Sequence, residues 1–276
     1  MEPQDKNKEK GHYHPLSLAM MKIAQIFDDL GFEIVDGPHM EDEYHNFDAL
    51  NIPANHPARD MWDTFWIKTQ INADKKTQMN ADKNIGVNLR ENLRESALLR
   101  THTSPVQIRY MEKNKPPIKI IAPGKCFRYE ATDATHEAQF YQLEGLMITP
   151  NTTLANLRGV LKEFLEKFFE AKIDIRFRPS YFPFVEPGLE VDMTCFKCAK
   201  DKKINSSCSI CKGTGWIEIM GAGMVHPKVL ENCGINPQEW QGFAFGVGID
   251  RLVMLKYEIP DIRMLYSGDL RLVNQF

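Results

Sequence analysis

Phe243-Ala244-Phe245-Gly246-Val247-Gly248-Ile249-Asp250-Arg251 reads as a glycine-rich strand that runs directly into a helix, about Ile249 to Tyr257. Upstream of it the chain is rich in strands. Ile118 to Ala122 is a compact apolar strand stopped by Pro123-Gly124, and Cys126 to Glu130 reads as the next. Phe140 to Ile148 alternates well enough for a third, Ile173 to Arg178 and Glu190 to Met193 follow, and Trp216 to Met220 resumes after an interruption. Helices enter singly. Leu18, Met21, Ile23, Ile26, Phe27 and Leu30 define one from about Leu16, with Gly31 where a C-cap belongs. Leu154, Leu157, Val160, Leu161, Phe164, Leu165 and Phe168 define another, about Thr153 to Ala171. Strands joined by short turns, with no βαβ repeat, predict an α+β fold built on a mainly antiparallel sheet.

Composition narrows the class. The 276 residues carry 34 Lys+Arg against 37 Asp+Glu, a formal net charge of −3, which removes the simplest nucleic-acid signature of a basic domain. Apolar runs such as Ile219 to Val225 fall far short of the ~20 residues that span a bilayer. Met1 to Lys10 is a polar tail, and neither a presequence nor a signal h-region opens the chain. Residues 68–95 are polar and repetitive, with Asn72-Ala73-Asp74-Lys75 returning as Asn80-Ala81-Asp82-Lys83, and read as a surface insertion without chemistry. Trp62, Phe65 and Trp66, just before it, read as half-buried.

Four of the six cysteines, Cys195, Cys198, Cys208 and Cys211, are spaced C-x2-C-x9-C-x2-C, the pattern of tetrahedral Zn²⁺ ligation. Redox or chance pairs are the alternative. Cytoplasmic localisation follows from thiolate ligation without a secretion signal. The knuckles, residues 194–215, replace the tip of a hairpin. Four thiolates leave no open position, which makes the metal structural. Lys197, Lys200, Lys202, Lys203 and Lys212 read as a solvated charge cluster, with contact to a nucleic acid as the alternative.

Three segments concentrate polar residues among apolar ones. Arg100-Thr101-His102-Thr103-Ser104-Pro105 suits a charged or zwitterionic small molecule, or is only a helix cap. Arg128-Tyr129-Glu130 and Phe140-Tyr141-Gln142-Leu143-Glu144 flank a loop holding His136. Alternation would put Arg128, Glu130, Phe140, Gln142 and Glu144 on one sheet face, with Leu143, Leu146 and Met147 suggesting a core on the other; a solvated face is the plain alternative. Arg251 in the first turn of the last predicted helix adds a bidentate phosphate donor beside a helix N-terminus.

Together these match a known order. A helix, a strand ending in Gly37-Pro38, a strand-loop-strand with Phe127-Arg128-Tyr129-Glu130, and Gly-x-Gly-x-x-Arg resemble motifs 1, 2 and 3 of class II aminoacyl-tRNA synthetases. Thr101-His102-Thr103-Ser104, Asp133-Ala134-Thr135-His136, Phe140 to Gly145, Arg178 to Pro187, Gly223-Met224-Val225-His226-Pro227 and Gly242 to Gly246 are similar to phenylalanyl-tRNA synthetase α subunits. The resemblance covers Gly11 to Phe276. It implies a catalytic domain over residues 11–276, a ligase using ATP and Mg²⁺, L-phenylalanine and tRNA(Phe) as substrates, and a β subunit in an α2β2 heterotetramer.

The same resemblance assigns roles. Arg128 grips the α-phosphate and Arg251 the γ-phosphate; Glu130, His136 and Phe140 complete the ATP site, with Phe140 under adenine. His102, Ser104, Gln142 and Glu144 hold the ammonium and carboxylate of phenylalanine. Phe182 and Phe184 meet its ring, though alone they would read as core, and Ala244 and Gly246 form the pocket floor. Glu186 is the Mg²⁺-associated glutamate. Family members in bacteria usually begin with a coiled-coil arm that contacts tRNA, whereas only ten polar residues precede Gly11 here, so autonomous tRNA docking is in doubt. A paralogue with another acyl acceptor and a non-catalytic zinc-ribbon module are the competing readings.

Overall fold

In the computed structural model, residues 11–59, 63–67, 97–200 and 206–276 are described, without the side chains of residues 199 and 200. The polar tail, Trp62, the 68–95 insertion, Lys202 and Lys203 lie outside them, and Phe65 and Trp66 are half-buried as expected. Strands β1 (Glu33–Ile34), β5 (Ile118–Phe127), β6 (Gln139–Thr149), β7 (Ile175–Phe182), β8 (Val185–Thr194), β9 (Trp216–Val225) and β10 (Gln241–Gly248) form one seven-stranded sheet. Its order is β1-β5-β6-β10-β9-β8-β7. Every pairing is antiparallel except the two-residue contact of β1 with β5. Strands β2 (Met40–Glu41), β3 (Trp66–Ile67) and β4 (Ala97–Leu99) make a small second sheet.

Helices α1 (Pro15–Asp29), α3 (Leu154–Phe169) and α6 (Ile249–Tyr257) cover one face of the large sheet. The sequence reasons are local. Gly31 takes φ +73° just beyond α1, the left-handed conformation that suits glycine. Thr153 and Asn156 form a reciprocal cap at the start of α3. The apolar stripes of all three helices meet Leu143, Phe243, Phe245 and Val247 in the main core. Helices α2 (Ser104–Lys113) and α5 (Pro227–Asn232), with the Phe47–Ile52 segment, cover part of the other face. The short helices α4 (Phe196–Lys200) and α7 (Leu270–Val273) complete the chain.

Three strand-level expectations change. Pro123-Gly124 does not end a strand: β5 runs through it, pairing Pro123 with Leu143 and Gly124 with Gln142. β1 leaves β5 after Ile121, so Pro123 sits where the outer edge needs no N–H donor. Arg128 and Glu130 consequently lie beyond the strand end rather than on it. Leu146 shares the face of Gln142 and Glu144 and packs in the second core cluster, while Leu143 and Met147 pack on the opposite face.

Candidate active site

Register determines what this face can hold. Glu144 pairs with Ala122 on one side and Gly246 on the other, Gly246 pairs with Gly221, and Ala244 pairs with Gly223. Side chains of paired residues share a face, so a row of hydrogen and methyl groups leaves a hollow over the middle of the sheet. A side chain would be tight at Gly246 and is blocked by backbone at Gly223. A Cβ on Gly246 would lie 3.1 Å from the Gln142 amide, and one on Gly223 would lie 2.4 Å from the Pro187 carbonyl oxygen.

The hollow is a cavity of about 420 Å³. His102, Ser104, Gln142, Glu144, Phe182, Phe184, Ala244 and Gly246, every residue expected around the amino acid, line it together with Arg128. Phe182 and Phe184 stack at 5.9 Å between centroids, 24° from parallel. Gly221 makes room for this pair, since a Cβ there would come within 3.2 Å of the Phe182 ring.

Opposite the apolar walls is one buried carboxylate. Glu144 accepts from Ser104 Oγ (2.6 Å) and Gln107 Nε2 (2.7 Å) at Oε2, and from Gln142 Nε2 (2.9 Å) at Oε1. Burial pushes its pKa up to about 7, against the opposing pull of the Ser104 hydroxyl, the Thr103 amide, Arg128 and Arg100. His102 is pushed the other way, to about 3, by burial and then by Arg128 and Arg100. Its ring is neutral at neutral pH, and among the described residues neither buried ring nitrogen has a hydrogen-bond partner.

Arg128 stands at the cavity wall. Its Nε donates to the Thr101 carbonyl (3.0 Å), its guanidinium lies 4.9 Å from the Phe140 ring centroid, and Glu130 is 3.9 Å away. Glu130, His136, Phe140, Arg251 and Glu186 are outside the cavity lining. Asp250 draws the start of α6 onto β6 by accepting from the Tyr141 amide (2.6 Å) and from the Tyr266 hydroxyl, and Arg251, the next residue, is exposed. His136 is exposed and bonded to Asp133 (3.0 Å). Glu186 is an exposed carboxylate 3.3 Å from His226 Nε2. A single carboxylate is what Mg²⁺ needs from protein when phosphate oxygens and waters supply the other ligands.

Sequence reasoning missed Gln107, whose spacing on α2 places it one turn after Ser104 and under the same carboxylate. It also missed Leu50, Ile52 and His56, which line the cavity from an irregular segment with no periodic signal.

The four cysteines do converge. All four sulfurs lie within 4.8 Å of one another, with Cys195–Cys208 at 3.9 Å and Cys198–Cys211 at 3.7 Å. Thiolates about 2.3 Å from a central ion in tetrahedral array have edges near these lengths. Lys212, Gly213 and Gly215 adopt positive φ, and amides of Cys211 and Ile210 turned toward Cys208 lower its pKa to about 6. The donor set fits one Zn²⁺. Lys197 pairs with Glu258 at 2.8 Å, tying the knuckle to the end of α6.

An antiparallel sheet whose glycine-lined hollow joins a buried carboxylate to an arginine at its wall is the architecture of a class II synthetase core. Comparison agrees: the family model "tRNA synthetases class II core domain (F)" matches residues 1–276. A pyrrolysyl-tRNA synthetase from Desulfitobacterium hafniense superposes at TM-score 0.62 and 17% identity, over 92% of this chain and 74% of that one, which supports the fold. The phenylalanine–tRNA ligase alpha subunit of Dehalococcoides mccartyi is 52% identical over 96% of this chain and 70% of the relative; that of Alkaliphilus metalliredigens is 50% identical over 98% and 71%. The chain belongs to the phenylalanine–tRNA ligase alpha-subunit family. Among the described residues no helix is long and apolar enough to cross a membrane.

Proposed function

We propose that residues 11–276 form a catalytic domain that activates L-phenylalanine with ATP as phenylalanyl-adenylate and delivers it to the 3′ end of tRNA(Phe), working with a β subunit in an α2β2 assembly in the cytoplasm. The observation that carries this reading is the pairing of an ionisable, triply hydrogen-bonded Glu144 with stacked Phe182 and Phe184 in one cavity, complementary to an ammonium group and a benzyl ring.

Glu144 and Gln142 take the ammonium, while His102 and Ser104 orient the carboxylate. Edge-to-face contact with the two phenylalanines contributes roughly 0.5–1.5 kcal/mol per pair beyond burial. The substrate carboxylate oxygen attacks the α-phosphorus, the bond to the bridging oxygen breaks, and pyrophosphate leaves. No protein nucleophile is needed, so the chain's contribution is placement and charge. Arg128 neutralises charge growing on the α-phosphate, and Arg251 holds the γ-phosphate and departing pyrophosphate. Glu130, His136 and Phe140 serve the ATP side, with Phe140 exchanging Arg128 for adenine on its ring face. Glu186 would hold Mg²⁺, which when bound neutralises the triphosphate. Cys195, Cys198, Cys208 and Cys211 hold a structural Zn²⁺ in the 194–215 insertion. Residues 68–95 are read as an addition without catalytic role.

Phenylalanine-dependent ATP–pyrophosphate exchange, with the chain alone and with its β partner, tests the reading. Exchange specific for phenylalanine in either state supports it. Folded, zinc-loaded protein that gives none in both states refutes it in favour of a paralogue or a binding module.

A further inference from the structure

Arg100 is 1% exposed, yet among the described residues no carboxylate oxygen lies within ion-pairing distance of it. A buried cation without a counterion costs several kcal/mol, so something must require it there. Its Nε donates to the Lys125 carbonyl (2.8 Å) on β5, and its Nη1 to the carbonyls of Gly37 (3.0 Å) and Pro38 (3.3 Å). Nη2 has no partner among the described residues. The guanidinium presses against Gly124 through Nη2, which a Cβ there would approach within 2.1 Å. Gly124 is paired with Gln142, the residue that donates to Glu144.

The main chain repeats the same links. The Arg100 amide donates to His39 (2.9 Å), and the Arg100 carbonyl accepts from Phe127 (2.9 Å), one residue before Arg128. Thr101 then holds the Arg128 side chain, and Ser104 holds Glu144.

We propose that Arg100 is a positioning residue for amino-acid activation: it ties the Gly37-Pro38 turn to the strand that leads to Arg128, and behind Gly124 and Gln142 it adds a fixed positive charge to that of Arg128 on the Glu144 side of the cavity. Resting on the function proposed above, this adds a residue that reaches neither substrate. The charged and titratable groups facing Glu144 are Arg100 and Arg128, with the Cys126 thiol of β5, which burial pushes up to about 12, and neutral His102 sharing the cavity. Of the two cations, Arg128 is recruited by phosphate when ATP binds. Arg100 cannot move toward it, because three carbonyls and Gly124 enclose it.

The test is the pH dependence of KM for phenylalanine in pyrophosphate exchange by the assembled α and β chains, for wild type, Arg100→Met and Arg100→Lys. In wild type, KM inflects near the Glu144 pKa. Arg100→Met moves the inflection up by about one unit and raises KM about fivefold at neutral pH and about tenfold well below the inflection, while Arg100→Lys keeps the wild-type inflection because the charge stays. A folded Arg100→Met that loses kcat evenly at every pH, with the inflection unmoved, makes Arg100 merely structural and overturns the proposal. Should Arg100→Met fail to fold, Arg100→Lys decides. One nitrogen cannot reproduce the three-carbonyl fork, so KM for both phenylalanine and ATP rises several-fold at an unmoved inflection; wild-type values for both, or a moved inflection, overturn it. Wild type that shows no exchange at all refutes the proposed function instead.

Discussion

Glu144 makes the acid side of the activity profile calculable. Its folded pKa near 7 lies above the ordinary glutamate value of 4.5, so the free protein prefers the protonated carboxyl. The stability that goes with the proton is complete below the unfolded pKa and is lost as pH rises through the folded one, at a cost of about 3 kcal/mol. Binding an ammonium group reverses the preference. Below about pH 7 each phenylalanine bound must therefore expel a proton, and affinity falls toward tenfold per pH unit; above it, affinity levels off. Isothermal titration calorimetry near pH 6 in two buffers of different ionisation enthalpy reads this directly, with an expected release approaching one proton. Near pH 8 the release vanishes. Glu144→Gln removes the charge and turns an amide NH2 toward donors from Gln107 or Gln142, so it weakens phenylalanine binding by ~10²–10³-fold and abolishes the buffer dependence. Proton release unchanged in Glu144→Gln, or affinity flat from about pH 6 to 8 in wild type, refutes the assignment of Glu144 to the ammonium group.

Further outcomes follow from the same geometry. Ala244→Gly deepens the floor and admits para-substituted phenylalanines in pyrophosphate exchange; unchanged discrimination places Ala244 elsewhere. Arg128→Gln lowers kcat for exchange by ~10²–10³-fold, because its main work begins as charge grows on the α-phosphate; since its charge also favours the ionised Glu144, it weakens phenylalanine binding by calorimetry near pH 7 at least as much as Arg100→Met does. Removing zinc with a chelator loosens the 194–215 loop, seen as faster amide exchange there, and leaves adenylation measurable; complete loss of phenylalanine activation in folded apo protein contradicts a structural role. Gly124→Ala, which drives a methyl onto the Arg100 guanidinium, lowers thermal stability by several degrees, and a Tm equal to wild type contradicts the packing described.

Periodicity explains how much of this was legible beforehand. α1, α3 and α6 each bury one apolar stripe on the sheet, so their bounds could be read within a residue or two. The cysteine knuckles were legible because a metal fixes spacing. Pro123-Gly124 was misread because the same dipeptide that ends strands also serves an edge with no neighbour and a face pressed by an arginine. That information lives in β1 and Arg100, far away in sequence. Leu50, Ile52 and His56 lie on irregular backbone, where no period marks an inward side. Gln107 was hidden among ordinary helix polar positions, and only its carboxylate partner reveals it.

The hollow over β6, β9 and β10 is made by leaving side chains out rather than by shaping them. A pocket walled by rotamers yields to a wrong ligand by turning a few bonds. Here the floor is the hydrogen-bonded ladder itself, held from both sides by neighbouring strands. An oversized substituent must bend several backbone links at once, so the response is all-or-none instead of graded. Substrate size is thus read by the stiffness of the sheet, a property that single side-chain changes elsewhere in the cavity do not soften.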